Sequence, residues 1–294
     1  MTGPASPASL PVVFVNGERM PDGASALSPR DRGFTLADGL FETMRARGGI
    51  VFRLDHHLAR LSDGLRIMAI AEPSDLRRWI LQAVAHAGAV DASVRLTVTR
   101  GPGPGGLAPP VDARPTTVIA VGLMPSVHPD TYRNGLRAII ASGCRNPCAM
   151  SIGLKTLSYT DSVLAWIEAQ RAGADEALLL DTDGHCSEAT ASNLFVLHNG
   201  VLRTPPMTCA ALPGITRATV LEIATSLNVP AREDVVAVRE LENADEAFLT
   251  SSLRGIAPLQ TIDGRPVGTG TPGPVTKRIA SAYDALVSQE CGIA

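Results

Sequence analysis

Hydrophobic residues recur at two distinct periods along this chain, and the order in which those periods alternate limits the fold more than any other feature. Leu54, Leu58, Leu61, Leu65 and Met68 return every three or four residues, the spacing of one helix face. Val94, Leu96 and Val98 return every second residue, the spacing of one strand face. The first pattern predicts a helix over 54–68 and the second a strand over 93–99. The same reading gives strands at 12–16, 40–47, 50–52 and 118–122, with a hairpin turning at Gly48-Gly49, and a helix from 74 to about 87. Later in the chain it gives strands at 136–141, 176–181, 193–198, 201–203, near 234–238 and at 247–250. Helices are expected there at 160–172, 216–227 and 275–287, with Gly184 and Gly200 marking turns.

Strands and helices therefore mix without a strict βαβ rhythm, and no G-x-G-x-x-G follows the first strand. The expected fold class is α+β and not a doubly wound dinucleotide fold. A chain of 294 residues exceeds what one compact core usually holds, so two domains are expected. We place a smaller N-terminal α/β domain at 1–123, a polar, Pro-containing linker at 124–130 and a larger C-terminal domain at 131–294. Disorder is expected only at 1–10. The stretch GPGPGGLAPP, 101–110, is glycine-rich, but Pro102 and Pro104 lack the N–H groups of a phosphate cradle, so it reads as a surface or lid loop.

A formal net charge of −3 with no basic cluster argues against nucleic acid and against an anionic membrane surface as partners. No apolar run approaches the ~18 residues of a spanning helix, and the first residues lack a basic start before an apolar run. A cytoplasmic location is the expectation. The cysteines Cys144, Cys148, Cys186, Cys209 and Cys291 form no C-x-x-C pair and read as buried free thiols. Cys144, Cys148 and His185 are too loosely spaced for a zinc motif, so no metal is expected.

Lysine occurs only at 155 and 277, and arginine supplies the remaining permanent positive charge. Arginine can replace lysine on a surface but cannot form a Schiff base, so each lysine is informative. Lys277 lies beside Arg278 on an amphipathic helix, as solvated charge would. Lys155 lies in SIGLKTLSYT among apolar and small residues, where desolvation favours a nucleophilic amine. That position also suits a half-buried lysine whose stem covers the core. If Lys155 held pyridoxal phosphate, the chain would need an acid for the pyridine nitrogen, a donor for the phenolate oxygen and a phosphate cup. Glu188 in GHCSEATASNLF is a candidate acid, although an exposed loop glutamate fits it too. Gly214, Ile215 and Thr216 in LPGITRAT stand at a helix start, where free N–H groups and the helix dipole favour an anion. Thr250, Ser251 and Ser252 could add hydroxyl donors and Arg60 could add charge.

The ordered series DRGFTLADGLFETMR, HLARL, GLKTLSY, ADEALLLD, SEATASNLF, LPGITR, ADEAFLTSS and GTPGPVTK resembles the class IV aminotransferases, from about Val13 to the C-terminal helix. The resemblance implies a two-domain fold-type IV pyridoxal-phosphate architecture, like that of D-amino-acid aminotransferases, usually in a homodimer. It implies pyridoxal 5'-phosphate bound as a Schiff base to Lys155, which then shuttles the proton between substrate and cofactor. By the same resemblance Glu188 faces the pyridine nitrogen and Tyr159 the phenolate oxygen, while Arg60, Ile215, Thr216, Ser251 and Ser252 hold the phosphate.

Within the family, FETMR, TRGPGPGGL, LKTLSY and FLTSSLRGI are most similar to the aminodeoxychorismate lyase group. That similarity implies release of pyruvate from 4-amino-4-deoxychorismate to leave 4-aminobenzoate for folate synthesis. The alternative is a transaminase of D-amino acids or branched-chain amino acids with a 2-oxo acid acceptor. Phe41 stands where D-amino-acid enzymes carry tyrosine, Thr43 where branched-chain enzymes carry glycine, and Gly105-Gly106-Leu107 offers no cation for a substrate carboxylate. Phe41, Thr43, Arg45 and Arg100 are the candidate substrate contacts, with Arg95 a further cation.

Overall fold

The computed structural model describes residues 11–21, 24, 27–88 and 91–292, so the stretch at 1–10 expected to be disordered lies outside the described residues. Contacts divide the chain into two units. The first comprises Met1–Pro125, Leu154–Ser158 and Val287–Ala294, and the second Ser126–Gly153 and Tyr159–Leu286. A linear division at 124–130 would leave 154–158 and 287–294 in the second domain, and both instead group with the first. The physical reason lies in their bonds. The Phe41 N–H donates to the Lys155 carbonyl at 3.0 Å and the Leu157 N–H to the Gly39 carbonyl at 3.1 Å, so 154–158 runs along a strand of the first unit. At the C-terminus, Glu290 pairs with Arg53 at 3.0 Å and Ser288 accepts from Arg47 at 3.0 Å.

In the first unit, β1 (Val12–Val15), β2 (Glu18–Arg19), α1 (Arg32–Leu36), β3 (Gly39–Arg47), β4 (Ile50–Val51), α2 (Leu54–Ile67), α3 (Leu76–Ala87), β5 (Asp91–Thr99) and β6 (Thr116–Leu123) follow in order. The strands form one antiparallel sheet in the order β2-β1-β6-β5-β3-β4. The turn from β3 to β4 needs positive φ at both Gly48 (58°) and Gly49 (80°), which glycine supplies without steric cost. Alternation then decides the faces. Leu40, Met44, Ala46, Val94, Leu96, Val98, Ile119 and Val121 are buried with Leu61 and Leu65 of α2 and Ile80 and Val84 of α3 in one core. Each Leu, Ile, Val or Met side chain among them contributes about 1.5–3 kcal/mol by leaving water. The other sheet face carries Phe41, Thr43 and Arg45, register partners of Thr97, Arg95 and Ser93.

The second unit holds α4 (Pro129–Asn134), β7 (Leu136–Arg145), α5 (Thr160–Arg171), β8 (Glu176–Asp181), β9 (Cys186–Ala189), β10 (Asn193–His198), β11 (Val201–Thr204), α6 (Ile215–Ser226), β12 (Ala231–Glu233), α7 (Val238–Glu242), β13 (Glu246–Ser251), β14 (Gly255–Ile262), β15 (Arg265–Pro266) and α8 (Pro274–Glu290), whose last turn from Val287 groups with the first unit. Its sheet runs β12-β11-β10-β13-β14-β7-β8-β9, with β15 beside β14. β9 also pairs with β10 through Glu188 and Asn193, which closes six of the strands into a ring. Parallel and antiparallel pairings mix, which excludes a uniformly parallel βαβ sheet.

The strand expected near 234–238 is not formed. β12 ends at Glu233, Ala237 makes an isolated bridge to His185, and Val238 opens α7, where the Ala237 N–H donates to Glu240 at 3.1 Å. The short apolar run 235–238 reads equally well as a strand or as a buried helix approach, and the side-chain cap from Glu240 decides it.

Candidate active site

Some of the expected site residues lie in the first unit and the others in the second. In the first, Lys155 is half-buried and its backbone is fixed against β3 by the two bonds given above, with a bridge from Thr156 to Leu40. Its Nζ sits 4.5 Å from the centroid of the Phe41 ring, and the Arg95 guanidinium lies 3.3 Å from the same centroid. An aromatic face attracts both cations. The amine and the guanidinium are therefore collected on one sheet face by a single buried ring. Lys277 is exposed, as solvated charge should be.

Arg60 reaches back from α2 to β3. Its Nε and one terminal nitrogen donate to the two Glu42 oxygens at 2.7 and 2.6 Å, and His57 Nδ1 lies 2.7 Å from the same carboxylate. Burial pushes the Glu42 carboxyl up, but the hydrogen bonds from His57 and Arg60 outweigh it and hold it below the usual range. Burial also dominates at His57 and holds it below its ordinary value, so the neutral ring donates its Nδ1–H to Glu42. A guanidinium has five N–H donors, so this pairing orients Arg60 without exhausting it.

Two of the expected substrate contacts are committed to protein partners. Arg100 is buried, with Nε and one terminal nitrogen on Asp38 at 2.8 and 3.0 Å and further bonds to the carbonyls of Met68 and Ala69 at 2.8 Å. All three of its nitrogens hold the protein together, which corrects the expectation of a substrate role. Arg45 is tied in bidentate fashion to Asp91 at 3.1 and 2.7 Å. Thr43 and Phe41 remain on the Lys155 face, opposite Arg95 and Thr97 in register.

Asp38 also accepts from Arg32 at 2.8 Å. Burial raises its pKa, but the two arginines lower it by more and the net shift is downward. Arg32 in turn donates to the carbonyls of Gly106 and Leu107 at 2.9 and 3.1 Å, so the glycine-rich loop is held from beneath by a buried guanidinium.

In the second unit Glu188 is buried on β9. Its Oε1 lies 2.8 Å from Arg145, while its Oε2 accepts the Leu212 N–H at 2.9 Å and Asn193 Nδ2 at 3.1 Å. Asn193 Nδ2 also donates to the Leu212 carbonyl at 2.9 Å. Gly214 caps α6 with no side-chain bond, and a Cβ there would collide with Asn193 Oδ1. Ile215 and Thr216 follow in the first turn, where helix N–H groups have no intrahelical acceptor. Thr250, the register partner of Asn193, has a buried Oγ1 with no hydrogen-bond partner. Ser251 and Ser252 continue the chain at the end of β13, and Tyr159 stands immediately before α5.

An uncapped helix start, a glycine that admits close approach and an orphaned hydroxyl beside it suit a group rich in acceptor oxygens. A carboxylate fixed by three donors suits a ring nitrogen. The donor set fits pyridoxal phosphate. Glu42, His57, Arg145 and Asn193 were absent from the sequence expectation. Asn193 could have been found from its place in the SEATASNLF motif, whereas nothing local marks Arg145.

The family model for class IV amino-transferases matches residues 39–262. A putative branched-chain-amino-acid aminotransferase of Methanocaldococcus jannaschii is 36% identical over 276 residues, covering 92% of this chain and 94% of the relative. D-alanine aminotransferase of Bacillus licheniformis is 33% identical over 288 residues, covering 95% and 98%. Among solved structures, the 4-amino-4-deoxychorismate lyase of Pseudomonas aeruginosa superposes with a TM-score of 0.83 at 33% identity, covering 95% of this chain and 98% of the other.

Proposed function

Because the chain belongs to the class IV aminotransferases, whose cofactor is pyridoxal phosphate, we propose that it is a transaminase of a carboxylate-bearing amino acid, with Lys155 as the catalytic amine and a 2-oxo acid as acceptor. The observation that carries this reading is that Lys155 Nζ and the Arg95 guanidinium both lie against the Phe41 ring, 4.5 and 3.3 Å from its centroid. An amine able to move a proton and a cation able to receive a carboxylate thus share one aromatic neighbour. Likeness to two aminotransferases along more than nine-tenths of the chain supports the same choice.

Pyridoxal phosphate, when bound, supplies an electron sink for charge developing at the substrate α-carbon. The residues of this chain supply the rest. Lys155 would hold the cofactor by its amine and would move a proton to and from the substrate α-carbon. Glu188, immobilised by Arg145, Asn193 and the Leu212 N–H, would serve the ring nitrogen. Tyr159 would donate to the phenolate oxygen. Gly214, Ile215 and Thr216, Ser251, Ser252 and Arg60 would bind the phosphate, and Phe41 with Thr43 would shape the substrate side. Assembly as a homodimer belongs to the same reading, and sedimentation equilibrium tests it.

The second reading is the lyase that releases pyruvate from 4-amino-4-deoxychorismate, favoured by the likeness to the Pseudomonas aeruginosa enzyme. Product analysis decides between them. The holoenzyme is given D-alanine, L-leucine and 4-amino-4-deoxychorismate in turn, with 2-oxoglutarate as acceptor. Glutamate and a new 2-oxo acid from an amino acid support transamination. Formation of 4-aminobenzoate and pyruvate, with neither amino acid turned over, sinks it.

A further inference from the structure

Asp181, His185 and Cys209 bring a carboxylate oxygen, an imidazole nitrogen and a thiol sulfur within 4.8 Å of one another, all inside the second unit. We propose that these three side chains form a binding site for a borderline-soft divalent cation of the Zn2+ class, with a water in the fourth position of a tetrahedron.

The local backbone builds this arrangement. Asp181 ends β8 and His185 follows a tight turn in which Gly184 takes φ 80°. The Asp181 N–H donates to the His185 carbonyl at 2.8 Å, and Asp181 Oδ1 accepts the N–H groups of Asp183 and His185 at 2.9 and 2.8 Å. One carboxylate oxygen is thus committed to the turn, and the other, Oδ2, faces His185 Nδ1 at 3.4 Å. Bonds of ~2.0–2.1 Å to one tetrahedral zinc would place such an oxygen and nitrogen about 3.3 Å apart. Cys209 arrives from a different segment, the single 3-10 turn Met207–Cys209, closed by the Cys209 N–H on the Pro206 carbonyl at 2.9 Å and by Ala210 at φ 62°.

Donor chemistry narrows the ion. Sulfur and imidazole favour zinc-like cations, whereas Mg2+ and Ca2+ require oxygen ligands in greater number. Access is provided on one side only. The Asp181 and Cys209 side chains are almost wholly buried, while that of His185 is 38% exposed and opens the cluster to water. The site also explains a pairing that the sequence conceals. Cys144 and Cys148, the cysteines nearest each other in the chain, are both exposed and take no part, and the ligands come from the β8–β9 turn and the segment before α6. A bound ion would tie that turn, three residues ahead of Glu188, to the segment whose Leu212 N–H holds Glu188.

The test is Zn2+ binding by the holoenzyme after dialysis against a chelator, followed by calorimetry and by elemental analysis of metal per chain. Cys144→Ser with Cys148→Ser serves as the background, so that exposed thiols do not compete. One Zn2+ per chain is expected, undisplaced by excess Mg2+, with affinity falling at least about tenfold in both His185→Ala and Cys209→Ser. His185 is in a half-exposed turn, so its variant keeps the fold and decides the matter if Cys209→Ser does not fold. Absence of a saturable site, or an affinity unchanged by His185→Ala, overturns the proposal, because a Cys209 thiol hydrogen bond to Asp181 and the Asp181–His185 ion pair would then account for the cluster.

Discussion

Asn193 Nδ2 donates to Glu188 Oε2 at 3.1 Å from the neighbouring strand, and the two residues are also register partners. The amide sets the direction of the carboxylate. We predict that Asn193→Ala weakens pyridoxal phosphate binding by about 10–100-fold and destabilises the protein by about 1–3 kcal/mol, since Leu212 loses a partner as well. Spectroscopic titration of the apoprotein reads the first effect and chemical denaturation the second. An unchanged affinity would show that Glu188 is oriented without Asn193.

The same asparagine makes Gly214 irreplaceable. A methyl group at Gly214 meets Asn193 Oδ1, so Gly214→Ala must push either the carboxamide or the start of α6 away. Overpacking of this kind costs about 1–3 kcal/mol. Phosphate affinity, measured with inorganic phosphate as competitor of the cofactor, is expected to fall in Gly214→Ala. Ala218→Gly, at an exposed position on the same helix, is expected to leave it unchanged.

Arg95 and Arg100 sit five residues apart and should respond in opposite ways. Arg100→Met leaves Asp38 short of a buried partner and is expected to cost about 3–5 kcal/mol in unfolding free energy. Arg95→Met is expected to cost only about 0.5–1 kcal/mol, the worth of an exposed cation–π contact with Phe41. It should raise KM for a carboxylate substrate about 10–100-fold, the worth of a charge-assisted hydrogen bond. Equal KM values in Arg95→Met and the wild type would remove Arg95 from the substrate site.

Asp38 also predicts a pH response. Its folded pKa lies below 3.8, the ordinary value, so its ion pairs with Arg100 and Arg32 stabilise the fold fully above that value and are lost as pH falls through the folded pKa. The wild type should therefore lose stability on acidification below 3.8 more steeply than Asp38→Asn, although the variant is less stable at neutral pH. Urea midpoints across that range measure the difference, and parallel acid limbs would remove Asp38 from the account.

Periodicity revealed much of this architecture and its limits have identifiable causes. The Leu54–Met68 stripe became α2, and the strands expected at 176–181 and 193–198 formed with those bounds. β14 is hard to read from sequence because Pro258 argues against a central strand. The structure tolerates it because the pairing of β14 with β7 begins only at Leu259. Lys155, Glu188 and Gly214 could be picked out because their residue types are unusual for their surroundings. The partners that fix them could not, since Glu188 depends on Arg145 and on a Leu212 N–H 24 residues further along the chain. The arginine reading went astray at Arg100 because charge in a sequence does not reveal which carboxylate waits nearby.

The chain changes unit four times, and the shortest excursion, Leu154–Ser158, carries the lysine. Its attachment along β3 is made by main-chain groups, the Phe41 N–H to the Lys155 carbonyl and the Leu157 N–H to the Gly39 carbonyl. Such bonds form with any residue except proline at 41 and 157. Recombination between distant relatives at a point near residue 126 would deliver a foreign lysine segment to a native strand, and the strand would seat it in the same register. Sequence elsewhere can thus diverge or be exchanged while the position of Lys155 is inherited unchanged.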